Sequence, residues 1–410
     1  MSGTKVVKNN IFFLLLLQGA NYLLPLITLP YIVRTIGVDK FGIIALANVA
    51  VAYFTILIDY GFNLSATREI SIYRNDKKKI GEIFYSVIII KLILLFFSFL
   101  ILISLILIFD TMYQYRDIYF YSFFLLVGRA VFPVWYFQGI EKMGYITFLN
   151  IGSKVFFALL IFLFVDSSYD YYLVPLINST GFVIGGLMGF YLAIKNIPFL
   201  LPKPFIIVKY FKESTHLFIS NLSSSLFTSS NTLILGLFTD HTTVGIYSSI
   251  ERLIMAVKNF IVPIYQGIFP WLAKKNHKEI YQFVKKSIPF ISLVGLTLSI
   301  LIYIFSNTIL NLIYNNPNIN QYAYLLELFA LIPLLSSLNM LFNYLYLNAI
   351  KAYQERMKIF LYSGIFNIII GTILTFYYKI NGIVITVLLT EVLLLLLGYY
   401  FYRRLYDGQA

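Results

Sequence analysis

Apolar runs long enough to cross a lipid bilayer recur along the whole 410-residue chain. A helix of about 20 apolar residues spans a hydrocarbon core of ~30 Å. Because lipid offers the backbone no hydrogen-bonding partners, runs of this kind are helices. Twelve are predicted, at about 10–35, 42–64, 82–109, 116–139, 145–165, 171–194, 213–236, 243–270, 287–306, 321–347, 356–378 and 382–402. The sequence therefore predicts an all-α integral membrane protein with short connecting loops.

Composition excludes a soluble enzyme. Hydrophobic residues make up 60% of the chain and charged residues 12%, whereas charged residues are about a quarter of a soluble domain. Cys is absent, so disulfides and thiolate metal sites are excluded. The first apolar run is too long for a removable signal peptide and has no small-residue cleavage site, so we expect it to be a retained membrane helix.

Lys and Arg lie mainly on one side of the predicted membrane. With a cytoplasmic N-terminus, the inner segments hold 22 of the 31 Lys and Arg residues. The outer segments then hold only Arg34, Lys40, Arg116 and Lys379. Cytoplasmic loops carry the excess of positive charge in membrane proteins, so both termini are predicted to be cytoplasmic. The net charge of +13 is then a topology signal, and no nucleic-acid partner is expected.

The two halves of the sequence share a weak repeat. Phe41-Gly42-Ile43 aligns with Val244-Gly245-Ile246 at an offset of 203 residues, and Pro133 aligns with Pro333 at an offset of 200. Six predicted spans per half give both halves the same orientation, as in transporters with parallel repeats. We therefore predict two pseudo-symmetric six-helix bundles around a central cavity. The predicted domains are residues 1–199 and 200–410.

When charges at the ends of the predicted spans are counted with the loops, nine charged residues remain inside the spans, where a charge that faces lipid costs ~3 kcal/mol or more. The nine are Lys91, Arg129, Lys154, Arg252, Lys258, Asp59, Glu251, Glu327 and Glu391. Arg129, Lys154 and Arg252 lie near the middle of their spans, so they are predicted to face the protein interior. Lys91 and Glu391 are predicted to lie nearer the membrane surfaces, where long side chains reach water.

Four of the cations are candidates for a cationic cavity that binds substrate: Arg129, Lys154, Arg252 and Lys258. Arg and Lys bind pyrophosphate oxygens, and the many aromatic residues of the chain could pack against sugar rings. A second interpretation is that each cation pairs with an acid and only fixes helix packing.

Three acids are candidates for coupling transport to a proton or cation gradient: Asp59, Glu251 and Glu327. Ionisable groups inside membranes are costly and are often functional. Asp59 has a second interpretation, as a helix-end residue that contacts only backbone donors. The seventh span also carries polar runs at 220–225 and 229–231, which either join helices or line a wet path.

Two blocks of the sequence carry a family resemblance. The first includes PLITLPY at 25–31, the turn at 37–42 and DYGFNLSATR at 59–68, and the second is WYFQGIEKM at 135–143. These blocks resemble the Wzx-type O-antigen flippases of the multidrug/oligosaccharidyl-lipid/polysaccharide exporter superfamily. The resemblance is dense over roughly the first 160 residues.

The resemblance implies a MATE-like fold and a transporter rather than an enzyme. Its substrate would be an undecaprenyl-pyrophosphate-linked oligosaccharide, the O-antigen repeat unit of lipopolysaccharide biosynthesis. Alternating access would move this unit from the cytoplasmic to the periplasmic leaflet of the bacterial inner membrane. Beside the lipid bilayer, the O-antigen polymerase is implied as a partner. No catalytic residue, metal or cofactor is expected, and the sequence has no Walker motif for ATP.

Two other function classes stay open. A drug or cation antiporter of the same superfamily predicts a cavity dominated by acids, because its substrates are cationic. A membrane polysaccharide polymerase or glycosyltransferase needs a sizeable outer loop or an acidic nucleotide-sugar site. The longest predicted outer loop, at about 307–320, has no Asp, Glu, His or Arg for such work.

Overall fold

The computed structural model describes residues 3–228, 230–272 and 274–407. Every regular element in these ranges is a helix. The chain divides into two compact units. The first comprises Met1–Thr28 and Thr35–Leu222, and the second comprises Leu29–Arg34 and Ser223–Ala410.

Nine stretches of the described residues are long and apolar enough to cross a membrane. They are Leu16–Ile36, Val38–Ile72, Lys77–Ile108, Arg116–Gly139, Met143–Phe164, Ser168–Ile194, His277–Ile313, Ala323–Ala349 and Tyr353–Tyr406. The chain is therefore a multi-pass membrane protein. The last stretch covers two predicted spans, joined at Lys379, whose φ is 51°. The count of twelve spans and their arrangement as two six-helix bundles stay predictions.

The first unit is built from the helices of the N-terminal half of the chain, without Leu29–Arg34 of α1 and without the part of α10 after Leu222. They are α1 (Gly3–Ile36), α2 (Val38–Asp59), α3 (Phe62–Ile72), α4 (Lys77–Ile108), α5 (Asp110–Gln114), α6 (Arg116–Val131), α7 (Val134–Gly139), α8 (Met143–Phe164), α9 (Leu173–Ile194) and α10 (Pro204–Thr228). Helix α9 packs on both α6 and α8. A Cβ on Gly128 of α6 would lie 2.3 Å from the Phe182 carbonyl oxygen of α9. Glycine therefore permits this close helix crossing.

The second unit contains the remaining helices. They are α11 (Ser230–Phe238), α12 (His241–Leu272), α13 (His277–Ile313), α14 (Pro317–Asn320), α15 (Ala323–Phe329), α16 (Ile332–Asn339), α17 (Leu347–Ala349) and α18 (Tyr353–Asp407), with a π-helical turn at Met340–Tyr346. Arg34 lies in the stretch of α1 that belongs to this second unit, and it donates hydrogen bonds to the carbonyl oxygens of Leu312, Ile313 and Tyr314 at 2.9, 2.5 and 2.8 Å. These carbonyls end α13 and have no partner within their own helix, so Arg34 acts as the cap of α13.

The two aligned prolines each lie at a helix break. Pro133 directly precedes α7, and Pro333 lies in the first turn of α16. Proline has no backbone N–H and cannot continue a preceding helix, but it fits the start of a new one. Each unit therefore contains one membrane stretch that is interrupted at a proline.

Candidate functional site

A break between α2 and α3 forms one wall of the site. Helix α2 ends at Asp59, and Tyr60 and Gly61 then adopt left-handed backbone angles, with φ of 42° and 82°. Gly61 suits this position because a positive φ strains other residues. A Cβ there would also lie only 2.6 Å from a side-chain carbon of α10. The Tyr60 ring stacks on Phe211 and Phe218, at centroid distances of 4.4 and 4.6 Å, which fixes the break in position.

A second break, between α6 and α7 at Pro133, forms another part of the wall. Helix α7 packs on α3. The Thr67 hydroxyl oxygen of α3 lies 3.2 Å from the Trp135 carbonyl oxygen and 3.3 Å from Gln138 Oε1. The two sequence blocks that carry the family resemblance therefore pack against each other.

A pocket of about 230 Å³ is lined by residues from both breaks. Its polar lining residues are Asp59, Asn63, Lys91, Arg129, Gln138 and Asn150. Its apolar lining residues are Leu17, Gly128, Phe132, Val134, Ile146 and Phe182. Interrupted helices at membrane depth are tolerated where they line a polar cavity, and transporters bind substrates and ions at such places.

Lys91 is the most deeply buried charge of this pocket, with only 2% of its side chain exposed. Its ammonium donates to Asp59 Oδ1 at 3.0 Å and to the Arg129 carbonyl oxygen at 2.9 Å. The second bond satisfies a carbonyl in the last turn of α6. The prediction that Lys91 reaches the membrane surface is wrong, because its carboxylate partner compensates the charge inside the protein.

Arg129 is exposed beside this ion pair. Its guanidinium lies 5.6 Å from the Phe182 ring. Among the described residues, no carboxylate forms an ion pair with it. Lys154 lies close enough for its charge to repel that of Arg129, and it donates to Asn21 Oδ1 at 2.5 Å. Arg129 is therefore an exposed cation in the lining of this pocket.

Lys258, in the second unit, has an acidic partner. It forms an ion pair with Glu391, and Asn339 Nδ2 donates to Glu391 Oε2 at 2.5 Å. Glu391 is buried, so the prediction that it reaches the membrane surface is wrong. The structure thus gives Lys258 an internal counter-charge.

The other predicted site residues of the second unit have polar neighbours. Glu251 accepts a hydrogen bond from Tyr247 Oη at 2.8 Å, and Glu327 accepts one from Ser306 Oγ at 3.0 Å. Arg252 is exposed and lies close enough to Glu251 for the two charges to attract. A cationic cavity shared by both halves and ion coupling through the acids stay predictions.

The polar runs of the seventh predicted span are described only in part. The side chains of Ser220, Ser223 and Ser224, and residue Ser229 as a whole, lie outside the described residues. Ser230 and Asn231 are buried.

Sequence reasoning placed Asp59 and Arg129 among the candidates, and the structure brings them into one pocket. Sequence reasoning missed Lys91, Asn63 and Gln138 as pocket residues. A signal for Lys91 was present, because it lies about nine residues into its predicted span, as deep as Lys154. The choice of Asp59 as its partner depends on how α2 and α4 are rotated, which hydropathy does not report.

Residues 7–276 match the family described as polysaccharide biosynthesis protein. The chain belongs to this family. A relative from Escherichia coli (strain K12) named "Putative O-antigen transporter" is 30% identical over 97% of this chain and 97% of its own length. A relative from Shigella dysenteriae with the same name is 29% identical over 95% of this chain and 98% of its own length. The family resemblance predicted from the two sequence blocks is confirmed.

Solved structures of the same fold belong to membrane transporters. One is described as the inward-facing conformation of a multidrug resistance MATE family transporter of the MOP superfamily, with a TM-score of 0.68, 14% identity, and coverage of 94% of this chain and 96% of that chain. Another is the lipid II flippase MurJ in an inward closed conformation, with a TM-score of 0.67, 14% identity, and coverage of 95% and 87%. These likenesses confirm a MATE-like fold.

Proposed function

We propose that the chain is a flippase for an undecaprenyl-pyrophosphate-linked oligosaccharide, the repeat unit of an O-antigen. It moves this lipid from the cytoplasmic to the periplasmic leaflet of the bacterial inner membrane, with both termini in the cytoplasm. Relatives named as O-antigen transporters, which align over nearly the whole chain, support this class of substrate. Their names also support a transporter rather than a polymerase or glycosyltransferase.

The observation that carries the proposal is the pocket cation Arg129. Its guanidinium has no ion-paired carboxylate among the described residues, and a planar guanidinium binds phosphate oxygens in a bidentate manner. Asn63, in the first turn of α3, adds a polar group to the same pocket. A volume of about 230 Å³ is below the roughly 300–1,000 Å³ of pockets for drug-sized ligands. The pocket thus suits a pyrophosphate group, while the sugars and the lipid tail lie outside it.

The proposed mechanism is alternating access between two six-helix bundles. The head group enters the cavity while the polyprenyl tail stays in the bilayer, and no covalent step is involved. Coupling to an ion gradient through Asp59, Glu251 or Glu327 is part of the proposal. Arg252 is the second-unit cation that we propose for the head group, because its side chain is exposed.

A drug or cation antiporter is the weaker alternative. The solved multidrug transporters share the fold at 14% identity, a level that carries no information about substrate. A cationic substrate requires an available acid, but the pocket acid Asp59 is paired with Lys91. The remaining pocket charge, Arg129, repels a cation.

Complementation tests the proposed function. The chain is expressed in cells that assemble a lipid-linked repeat unit but lack their own flippase, and surface polysaccharide is detected by blotting. The intact chain is expected to restore long-chain product, and Arg129→Ala and Arg252→Ala are expected to abolish it at normal membrane levels. Arg404→Ala is the matched control, because Arg404 is exposed at the end of α18 and should not affect transport. Transport that survives in both test variants contradicts the cationic site.

A further inference from the structure

The ion pair of Lys91 with Asp59 has an uneven exposure. The Lys91 side chain is 2% exposed, whereas the Asp59 side chain is 22% exposed. Both residues line the pocket that contains Arg129. The carboxylate is therefore the more accessible member of the pair, and an anion that enters the pocket approaches Lys91 from the side that Asp59 occupies.

The position of Asp59 in its helix is unfavourable without Lys91. Asp59 is the last residue of α2, and a carboxylate at a helix C-terminus lies at the negative end of the helix dipole. Lys91 is anchored independently of Asp59 by its hydrogen bond to the Arg129 carbonyl oxygen. The ammonium can therefore keep its place when the carboxylate moves away, because one of its two bonds remains.

We propose that Asp59 is an internal competitor for the anionic substrate and that Lys91 is a second phosphate-binding residue. A diphosphate bound at Arg129 displaces the Asp59 carboxylate from Lys91, and the carboxylate returns when the substrate leaves. A diphosphate can place one phosphate group at Arg129 and the other at Lys91, whereas a monophosphate has only one group for the two cations. The pair thus makes the pocket selective for diphosphates over monophosphates and neutral lipids. This inference rests on the proposed function, because it assigns a specificity role within the same pocket.

Binding to the purified full-length chain in lipid nanodiscs tests the proposal. The probes are farnesyl diphosphate, farnesyl monophosphate and farnesol, which share one lipid and differ in charge. Asp59→Asn is expected to bind the diphosphate at least about tenfold more tightly, a change of ~1.4 kcal/mol, and to discriminate less between diphosphate and monophosphate. Lys91→Met is expected to bind the diphosphate at least about tenfold more weakly, because a charge-assisted contact is lost.

Glu82→Gln is the matched control for Asp59→Asn. Glu82 lies on α4, the helix of Lys91, and its ion pair with Lys79 is partly exposed. Glu82→Gln removes the same charge as Asp59→Asn, but it changes no residue that lines the pocket. The affinity for the diphosphate should therefore stay within about twofold of the wild type at constant ionic strength. An equal gain in Glu82→Gln would show a general charge effect and would overturn the proposal.

The outcomes separate the competitor role from a packing role. If Asp59 only fixes helix packing, Asp59→Asn binds the diphosphate more weakly and keeps its discrimination, which overturns the proposal. The double variant Asp59→Asn/Lys91→Met has no unpaired buried charge. Asp59→Asn should raise the affinity for the diphosphate less in the Lys91→Met background than in the wild type, because its main effect acts through Lys91. An equal gain in both backgrounds would show that Asp59 is only a general repulsive charge and would overturn the proposal. Where Asp59→Asn alone does not fold, a Lys91→Met variant that binds the diphosphate as tightly as the wild type overturns it.

Failure of the proposed function has a different signature. In that case the wild-type chain binds farnesyl diphosphate no better than farnesol, and the pocket is not a phosphate site. If the wild-type chain prefers the diphosphate but Asp59→Asn binds it more weakly, the result agrees with the proposed function and contradicts only the competitor role of Asp59.

Discussion

The close crossing of α6 and α9 at Gly128 predicts that Gly128→Ala lowers the stability of the protein. The added Cβ would lie 2.3 Å from the Phe182 carbonyl oxygen, 2.5 Å from its carbonyl carbon and 2.7 Å from the Val183 nitrogen. All three atoms are backbone, so no side-chain rotation relieves the clash. Because ordinary carbon–oxygen contact begins at about 3.3 Å, the two helices must separate by ~1 Å.

The expected destabilisation is ~2 kcal/mol. Forcing a methyl group into a packed interior costs about 1–3 kcal/mol, and rigid backbone atoms place this site at the upper end. Alanine recovers ~1 kcal/mol because glycine is a poor helix former. At about 2 °C for each kcal/mol in large chains, the midpoint of thermal unfolding should fall by ~4 °C. The separation also shifts Arg129, the next residue, so transport should fall as well.

Thermal unfolding of the purified chain in detergent measures this effect, and the complementation assay measures transport. Gly152→Ala is the matched control, since a Cβ on Gly152 of α8 meets no atom within 4 Å. We expect that variant to be as stable as the wild type or slightly more stable. Equal stability of Gly128→Ala and Gly152→Ala would refute the reasoning, because it would show that α6 and α9 do not cross at Gly128.

The second unit offers two further predictions. Lys258→Met should lower stability by about 3–5 kcal/mol, because it leaves the buried Glu391 unpaired, and Glu391→Gln should lower it by less, because Lys258 is partly exposed, while the double variant should recover most of either loss; equal losses in all three, measured by thermal unfolding, would contradict the pairing. Arg34→Gln should lower stability by about 1.5–3 kcal/mol, because the last carbonyls of α13 lose a charged donor. Arg34→Lys should recover only part of this loss, because Lys lacks the planar fork that reaches several carbonyls, and full recovery would contradict the capping geometry.

Hydropathy predicted the helical class and the six spans of the N-terminal half, because lipid forces long apolar runs into helices. It did not predict where a span is interrupted. Pro133 was a readable signal, since proline ends a helix. The break at Tyr60 was harder to predict. Its left-handed angle is held by stacking on Phe211 and Phe218, residues about 150 positions away in the sequence.

The position of Arg129 deep in its predicted span indicated that it faces the protein interior, and the structure places it in the pocket. The hydrogen-bond and ion-pair partners of the charged side chains were not predictable in the same way. The partner of Lys91 lies 32 positions away, and the carbonyls capped by Arg34 lie up to 280 positions away. Such partners are decided by how helices rotate and pack, whereas depth follows directly from the count of residues along one helix.

Anion binding in a membrane depends on which cations lack a partner rather than on the excess of cations. The predicted spans contain five cations and four acids, a small excess that says little about a ligand. Lys91 and Lys258 each have a carboxylate partner, but the two pairs differ in which member is more exposed. Asp59 is the more exposed member of the first pair, at 22% against 2%, whereas Lys258 is the more exposed member of the second, at 21% against 7%. An entering anion can therefore replace Asp59, but it cannot replace Glu391, which lies behind its lysine and is also held by Asn339. The first pair is thus suited to exchange its partner for a substrate, and the second is suited to hold its helices together.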